Sequence, residues 1–316
     1  GKESLFSNTT ASNNTAVGTA SLKANTTGST NVAIGRKTMC TNTTGANNTA
    51  IGNQSLEQNT TADNNTAVGN ASLDANTTGA GNTALGQSSL GSNTTASDNT
   101  AVGHQALFTN VTGANNVAVG KNALYYNTAS TNTAIGNLAM TNTSTGAGNT
   151  AVGQNALTAN TTGTENVAIG KNALDANTEG GYSVAVGNSA LGAQTTGANN
   201  VAVGRTALAA LTTGTRNTVV GGSYALGAGA AITTGYHNVI VGNDAAGTMT
   251  EGHNNTVVGT EALKVNTTGS ANVAIGTKAL CTATTSSSNV AVGRESMKLT
   301  TTCLLYTSPS PRDRTR

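Results

Sequence analysis

One short pattern of aliphatic and small residues recurs at a fixed interval along this chain. The motif Asn-Thr-Ala-Val-Gly at residues 14–18 returns at 31–35, 48–52 and 65–69, and so on to 289–293, giving 17 copies. The closing glycines are 17 residues apart, except for 16 between Gly120 and Gly136 and 21 between Gly221 and Gly242. The residue before the glycine is Val, Ile or Leu in every copy, as in Val17, Ile34, Ile51, Val68 and Leu85. Two before it stands Ala in 14 copies, with Val219, Ile240 and Val257 as the exceptions. Three before it is Thr in nine copies and Val in eight, and four before it is Asn in 16, with Ser183 the exception. β-Branched residues at every second position predict a strand whose two faces differ. The Thr/Val and Val/Ile/Leu positions share one face, and Asn, Ala and Gly share the other.

A second apolar point follows four residues after the glycine in most copies, at Leu22, Met39, Leu56, Leu73 and onward to Met297. Asn-Thr-Thr-Gly or a close variant comes next, as at residues 25–28 and 160–163. Asn and Gly tolerate positive φ there, and Asn and Thr side chains bond to nearby backbone. Each unit therefore reads as strand, short turn, second short strand and polar turn. A helix is excluded, because Gly, Asn, Thr and β-branched residues disfavour it and no stripe recurs at helical spacing.

One 17-residue unit cannot bury an apolar face alone, whereas stacked units can. The predicted fold is all-β, a parallel β-solenoid of about 17 coils with 17 residues each. At about 4.8 Å per coil, such a stack is a rod on the order of 80 Å long. The Val/Ile/Leu column is expected to form the core ladder, with Val17, Ile51, Val102, Val152, Val203 and Ile275 buried and stacked. The Asn column is expected to hydrogen-bond along the stack. The Ala column (Ala16, Ala33, Ala50, Ala67) would then leave a flat outer surface that permits close approach of other chains, and a homotrimer is expected.

Composition agrees with a thin coil. Charged residues make up 9% of the chain and aromatics 3%, and there is no Trp. Residues 1–302 read as a single solenoid domain. The extra residues near 222–234 (Gly-Ser-Tyr224-Ala-Leu226-Gly and beyond) predict a longer loop bulging from one coil. The chain opens on Gly1 in phase with the repeat and shows no signal peptide or membrane-spanning apolar run, so a fragment or processed piece is expected. Residues 303–316 differ in kind. They hold both prolines, Pro309 and Pro311, with Arg312, Arg314 and Arg316, and they resemble translated sequencing-adaptor sequence. Without them the chain carries 12 basic and 12 acidic residues, and a nucleic-acid arm would need more charge than that tail offers.

Catalytic chemistry finds little to rest on. His104, His237 and His253 show no ligand spacing, and the last two adjoin a turn. Cys40 and Cys281 are expected to be free thiols. The carboxylates Glu57, Asp63, Asp74, Asp98, Glu165 and Asp175 are scattered, and no pair forms an acid/base couple. The loose G-x-G-x-x-A matches at 79–84 and 146–151 lead into a repeat strand, where a dinucleotide motif has no meaning. Neither a catalytic residue nor a cofactor or metal site is expected.

The tandem Asn-x-Ala-Val/Ile-Gly-x-x-Ala/Ser-Leu motif, over roughly residues 8–300, resembles the head repeats of trimeric autotransporter adhesins (YadA-like) and repeat regions of phage tail fibres. The departure is the period, which an Asn-Thr-Thr-Gly turn lengthens here. The resemblance implies a left-handed β-roll, three chains side by side, and attachment to a host-cell protein or glycan at a cell surface or virion fibre. It carries over no catalytic residue. Adhesion would lie on the variable turns, where the aromatics Phe108, Tyr125 and Tyr126 are the candidate surface contacts. The alternatives are an ice-binding solenoid and a repeat-fold enzyme. The strand Thr column is interrupted by Val and is assigned to the core face, so the Thr-rich turns at 26–27 and 161–162 are the better candidates for an ice face.

Overall fold

A computed structural model describes residues 1–222 and 227–301 of the chain. The middle of the predicted bulge, with Tyr224 and Leu226, and the tail 303–316 lie outside the described residues. The chain forms two compact units, Gly1–Thr164 and Glu165–Arg316. Each is a parallel β-solenoid, and no helix occurs among the described residues.

The first unit carries β1 (Thr15–Val17), β2 (Val32–Ile34), β3 (Thr49–Ile51), β4 (Thr66–Val68), β5 (Thr83–Leu85), β6 (Thr100–Val102), β7 (Val117–Val119), β8 (Thr133–Ile135) and β9 (Thr150–Val152). The second carries β10 (Val167–Ile169), β11 (Val184–Val186), β12 (Val201–Val203), β13 (Thr218–Val220), β14 (Val239–Val241), β15 (Thr256–Val258), β16 (Val273–Ile275) and β17 (Val290–Val292). Within each unit every strand pairs in parallel with the next, in register, so that equivalent repeat positions stack: Ala33 on Ala50, Ile34 on Ile51, and Val184 on Val201. The 16- and 21-residue steps keep this register, with Val117 against Thr133 and Thr218 against Val239.

The strand faces are the reverse of the expected arrangement. The Ala column is buried: Ala33, Ala50, Ala67 and Ala84 expose none of their surface. The aliphatic column before the glycine faces outward. Val17 is 56% exposed and Ile51 and Ile275 are each 38% exposed, while Val102, Val152 and Val203 are half-buried. Strand identity and stacking follow the sequence; the side does not. The cause is volume. The coil interior already holds the fully buried column Leu22, Met39, Leu56, Leu73 and Leu90, and in most coils the space beside it takes only a small residue. The Ala surface inferred for trimer contact is therefore interior.

The expected second strand is also absent. Residues around Leu22 and Leu56 form turns, with φ of 49° and 51° at these leucines. Such left-handed backbone costs a bulky residue about 1–2 kcal/mol. Complete burial of the leucine side chain, worth about 1.5–3 kcal/mol, offsets it. The glycine that closes each strand is required twice over. Gly35 has φ +142°, and a Cβ there would collide with the Gly52 carbonyl oxygen of the next coil.

Two amide columns complete the interior. Oδ1 of Asn31 accepts the backbone N–H of Asn48 at 3.0 Å, and its Nδ2 donates to the Gly45 carbonyl at 2.9 Å. The second column was read from sequence only as turn. Asn42 Nδ2 donates to Asn25 Oδ1 at 2.8 Å and to its own turn's Gly45 carbonyl at 2.9 Å, and Asn59 Nδ2 repeats the step onto Asn42 Oδ1 at 2.8 Å. Asn25, Asn42, Asn59, Asn76 and Asn93 are all fully buried, so each polar group finds a partner inside the stack.

Some departures from the repeat come in compensating sets. Ser183 stands where other coils have Asn, and Gln194 stands where they have the second Asn. The longer Gln194 reaches both the Ser183 hydroxyl (3.3 Å) and Asn177 Oδ1 (3.2 Å). Farther on, the second amide column turns apolar at Leu211, Ile232 and Met249, all fully buried. Backbone bonding from Leu208 to Ala228, from Gly229 to Ala245 and from Ala246 to Ala262 makes Gly229 and Ala246 the equivalents of the buried leucines. Those small residues share their coils with Val219 and Ile240, which replace the strand Ala, while the third replacement, Val257, shares its coil with the buried Leu263.

Candidate interaction surfaces

Each unit presents a strand face to solvent. In the first unit the columns are Thr15, Val32, Thr49, Thr66, Thr83, Thr100, Val117, Thr133 and Thr150, and beside them Val17 through Val152. In the second unit the Thr column becomes mostly Val, leaving Thr218 and Thr256. Ile34, Leu85, Ile135, Ile169, Val220, Val241 and Val258 are exposed large hydrophobics. Single exposed apolar residues are ordinary, whereas an ordered row of exposed and half-buried ones through the coils is not.

The structure brings Phe108, Tyr125 and Tyr126 together. Phe108 and Tyr125 stack with centroids 5.3 Å apart and planes at 25°, and Tyr126 meets Tyr125 edge-on at 4.6 Å. Phe108 lies over the preceding coil, where a Cβ on Gly91 would come within 2.9 Å of its ring. Phe108 and Tyr125 are half-buried and Tyr126 is 53% exposed. The first two cover a coil edge, and Tyr126 offers its ring to solvent.

A second cluster escaped the sequence reading. His237 and His253 both contact Tyr236: His253 stacks on it at 4.7 Å with planes 9° apart, and His237 meets it edge-on at 5.3 Å. Arg216 Nη1 lies 3.3 Å from His237 Nε2, and the Ser270 hydroxyl lies 3.0 Å from His253 Nδ1. The signal was present, since these sites hold small or short polar residues in most coils, as at Ala46-Asn47, Ser97-Asp98 and Ala198-Asn199. His104 is exposed on the first unit.

The carboxylates serve the turns. Glu57 takes Lys37 at 3.2 Å and Gln54 at 2.7 Å, and Asp63 accepts the Ala46 N–H at 2.7 Å. Burial pushes the Asp74 and Asp175 carboxyls above their ordinary value, against hydrogen bonds from their own and the following backbone N–H groups. Cys40 and Cys281 are free and half-buried, and burial together with Glu57 pushes the Cys40 thiol up. Among the described residues no three His, Cys, Asp or Glu converge, and no helix is long and apolar enough to cross a membrane.

The Thr-rich turns use part of their hydroxyls internally. Thr26 Oγ1 donates to the Thr43 carbonyl, Thr43 to Thr60, and Thr60 to Thr77, each at 3.0 Å. Asn25 and Asn42, each followed by Thr-Thr, are fully buried in those turns. No family model matches the chain, and no curated protein matches it.

Proposed function

We propose that this chain is a non-catalytic segment of an extracellular fibre, at a cell surface or on a virion, that attaches to a surface or host cell. In this reading it works as a homotrimer. One observation supports it above the others: an outward strand face of Val, Ile and Leu repeats in every described coil. Burying such a face against other copies gains about 25 cal/mol per Å² of apolar area. The homotrimer thus stands on the aliphatic face and no longer on the Ala column. The repeat motif's resemblance to adhesin head repeats points the same way and implies a left-handed coil. Within this reading Tyr126, supported by Tyr125 and Phe108, is a contact for a host-cell protein or glycan. The test is retention of the purified chain on cells and on an array of glycans.

A second reading, ice binding, is favoured by one feature. The strand threonines of the first unit, Thr49, Thr66, Thr83 and Thr100 in particular, lie on the outward face beside the aliphatic column. Thermal hysteresis without adhesion or self-association would select it.

A further inference from the structure

We propose that Arg216, Tyr236, His237 and His253 form a binding site for an acidic carbohydrate, one bearing a carboxylate on the sugar ring. The proposal rests on the attachment reading and names a ligand class and a place for it. Four successive turns of the second unit contribute: Arg216 precedes β13, Tyr236 and His237 precede β14, His253 precedes β15, and Ser270 precedes β16. Contacts run unbroken from Arg216 through His237, Tyr236 and His253 to Ser270. Three coil steps of about 4.8 Å span roughly 14 Å, which is the scale of a short oligosaccharide.

The chemistry fits a charged sugar. Tyr236, 40% exposed, offers aromatic surface suited to sugar C–H groups, and the His253 ring stacked on one of its faces holds it in place. The exposed Arg216 offers a planar fork of donors for a carboxylate. Glu251 is the acidic group on the same turn as His253. Folding alone does not call for these residues. Arg216 has φ 56°, the left-handed backbone that this repeat position holds with many residue types, among them Asn47, Thr30, Glu165 and Tyr182, so its side chain is free to vary without cost to the coil.

The experiment titrates the full chain with a hyaluronan hexasaccharide, with the uncharged chitin hexasaccharide as control. Binding is read by calorimetry and by the histidine ring resonances. The chain has three histidines, so His104 on the first unit serves as an internal reference. The expected result is saturable binding that moves the His237 and His253 resonances and leaves those of His104 in place. Arg216→Asn should weaken it about tenfold, the usual scale of one charge-assisted contact, without lowering Tm. Tyr236→Ala should weaken it too. No binding, equal binding of the uncharged oligosaccharide, or shifts unconnected with His237 and His253 would overturn the proposal. A chain that binds the hexasaccharide but adheres to no surface keeps this site and defeats the attachment reading. Adhesion with unmoved histidine resonances does the reverse.

Discussion

Gly229 and Ile240 face one another inside the second unit, the smallest residue of one buried column against the largest of the other. A Cβ built on Gly229 would lie 3.3 Å from Cδ1 of Ile240 and 3.0 Å from Cδ1 of Ile232. Elsewhere the corresponding positions are Leu and Ala, as at Leu191 and Ala202. Ile240→Ala should leave a cavity and cost about 2–4 kcal/mol. Gly229→Leu alone should overpack the coil and cost about 1–3 kcal/mol or more. The double variant restores the common Leu/Ala arrangement and should be markedly more stable than the sum of the two losses. Denaturant unfolding of the three variants measures the coupling.

The buried amide ladder makes a second prediction. Asn42→Ala removes the donor to Asn25 Oδ1 and one of the two acceptors of Asn59 Nδ2, while the Gly45 carbonyl keeps Asn31 Nδ2 and Asn59 keeps the Ala62 carbonyl. The expected loss is about 1–3 kcal/mol per stranded group, which is large for a polar residue in a turn motif. An exposed neighbour, Thr44→Ala, should change stability by less than about 0.5 kcal/mol, and chemical denaturation compares the two.

The raised carboxyls of Asp74 and Asp175 set a sign for pH dependence. In both, burial is the first cause, and it disfavours the charged form in the folded chain. The folded protein therefore holds these protons to higher pH than the unfolded chain does. Their contribution favours folding below the ordinary carboxylate pKa and is lost as pH rises through the raised folded values. Asp74→Asn should raise Tm at neutral pH and flatten the acid side of the Tm–pH profile. A lower Tm at pH 7 would contradict this.

The aromatic cluster gives a fourth expectation. The double variant Tyr125→Ala, Tyr126→Ala removes one half-buried and one exposed ring. It should keep the β spectrum by circular dichroism and bind a recognised surface more weakly. Unchanged binding would place adhesion elsewhere.

How far the sequence could be read follows from particular residues. All the described strands fall on the three residues before a repeat glycine, because a 17-residue period with β-branched alternation leaves few alternatives. Which face points inward was not legible from that alternation. Val17 and Ala16 are both apolar, and a period of two does not assign sides when both faces exclude charge. The interior volume assigns them, and that volume is fixed by leucines such as Leu22 and Leu56. Their left-handed backbone leaves no mark in a pattern of residue types. The stacking of Asn42 on Asn25 was hidden for a related reason: Asn-Thr-Thr-Gly is turn chemistry locally and becomes a ladder only when coils stack. Tyr236, His237 and His253 were visible as letters, and their contact depends on neighbouring coils bringing residues 17 apart together.

Sedimentation equilibrium tests the central claim most directly. The purified chain at micromolar concentration should sediment at three times the 31.0 kDa chain mass. A variant carrying Ile34→Lys, Ile51→Lys and Ile135→Lys on the exposed strand face of the first unit and Ile169→Lys, Val241→Lys and Ile275→Lys on that of the second should remain folded and sediment as a monomer. A wild-type chain that stays monomeric, or a lysine variant that still assembles, would contradict self-association through this face.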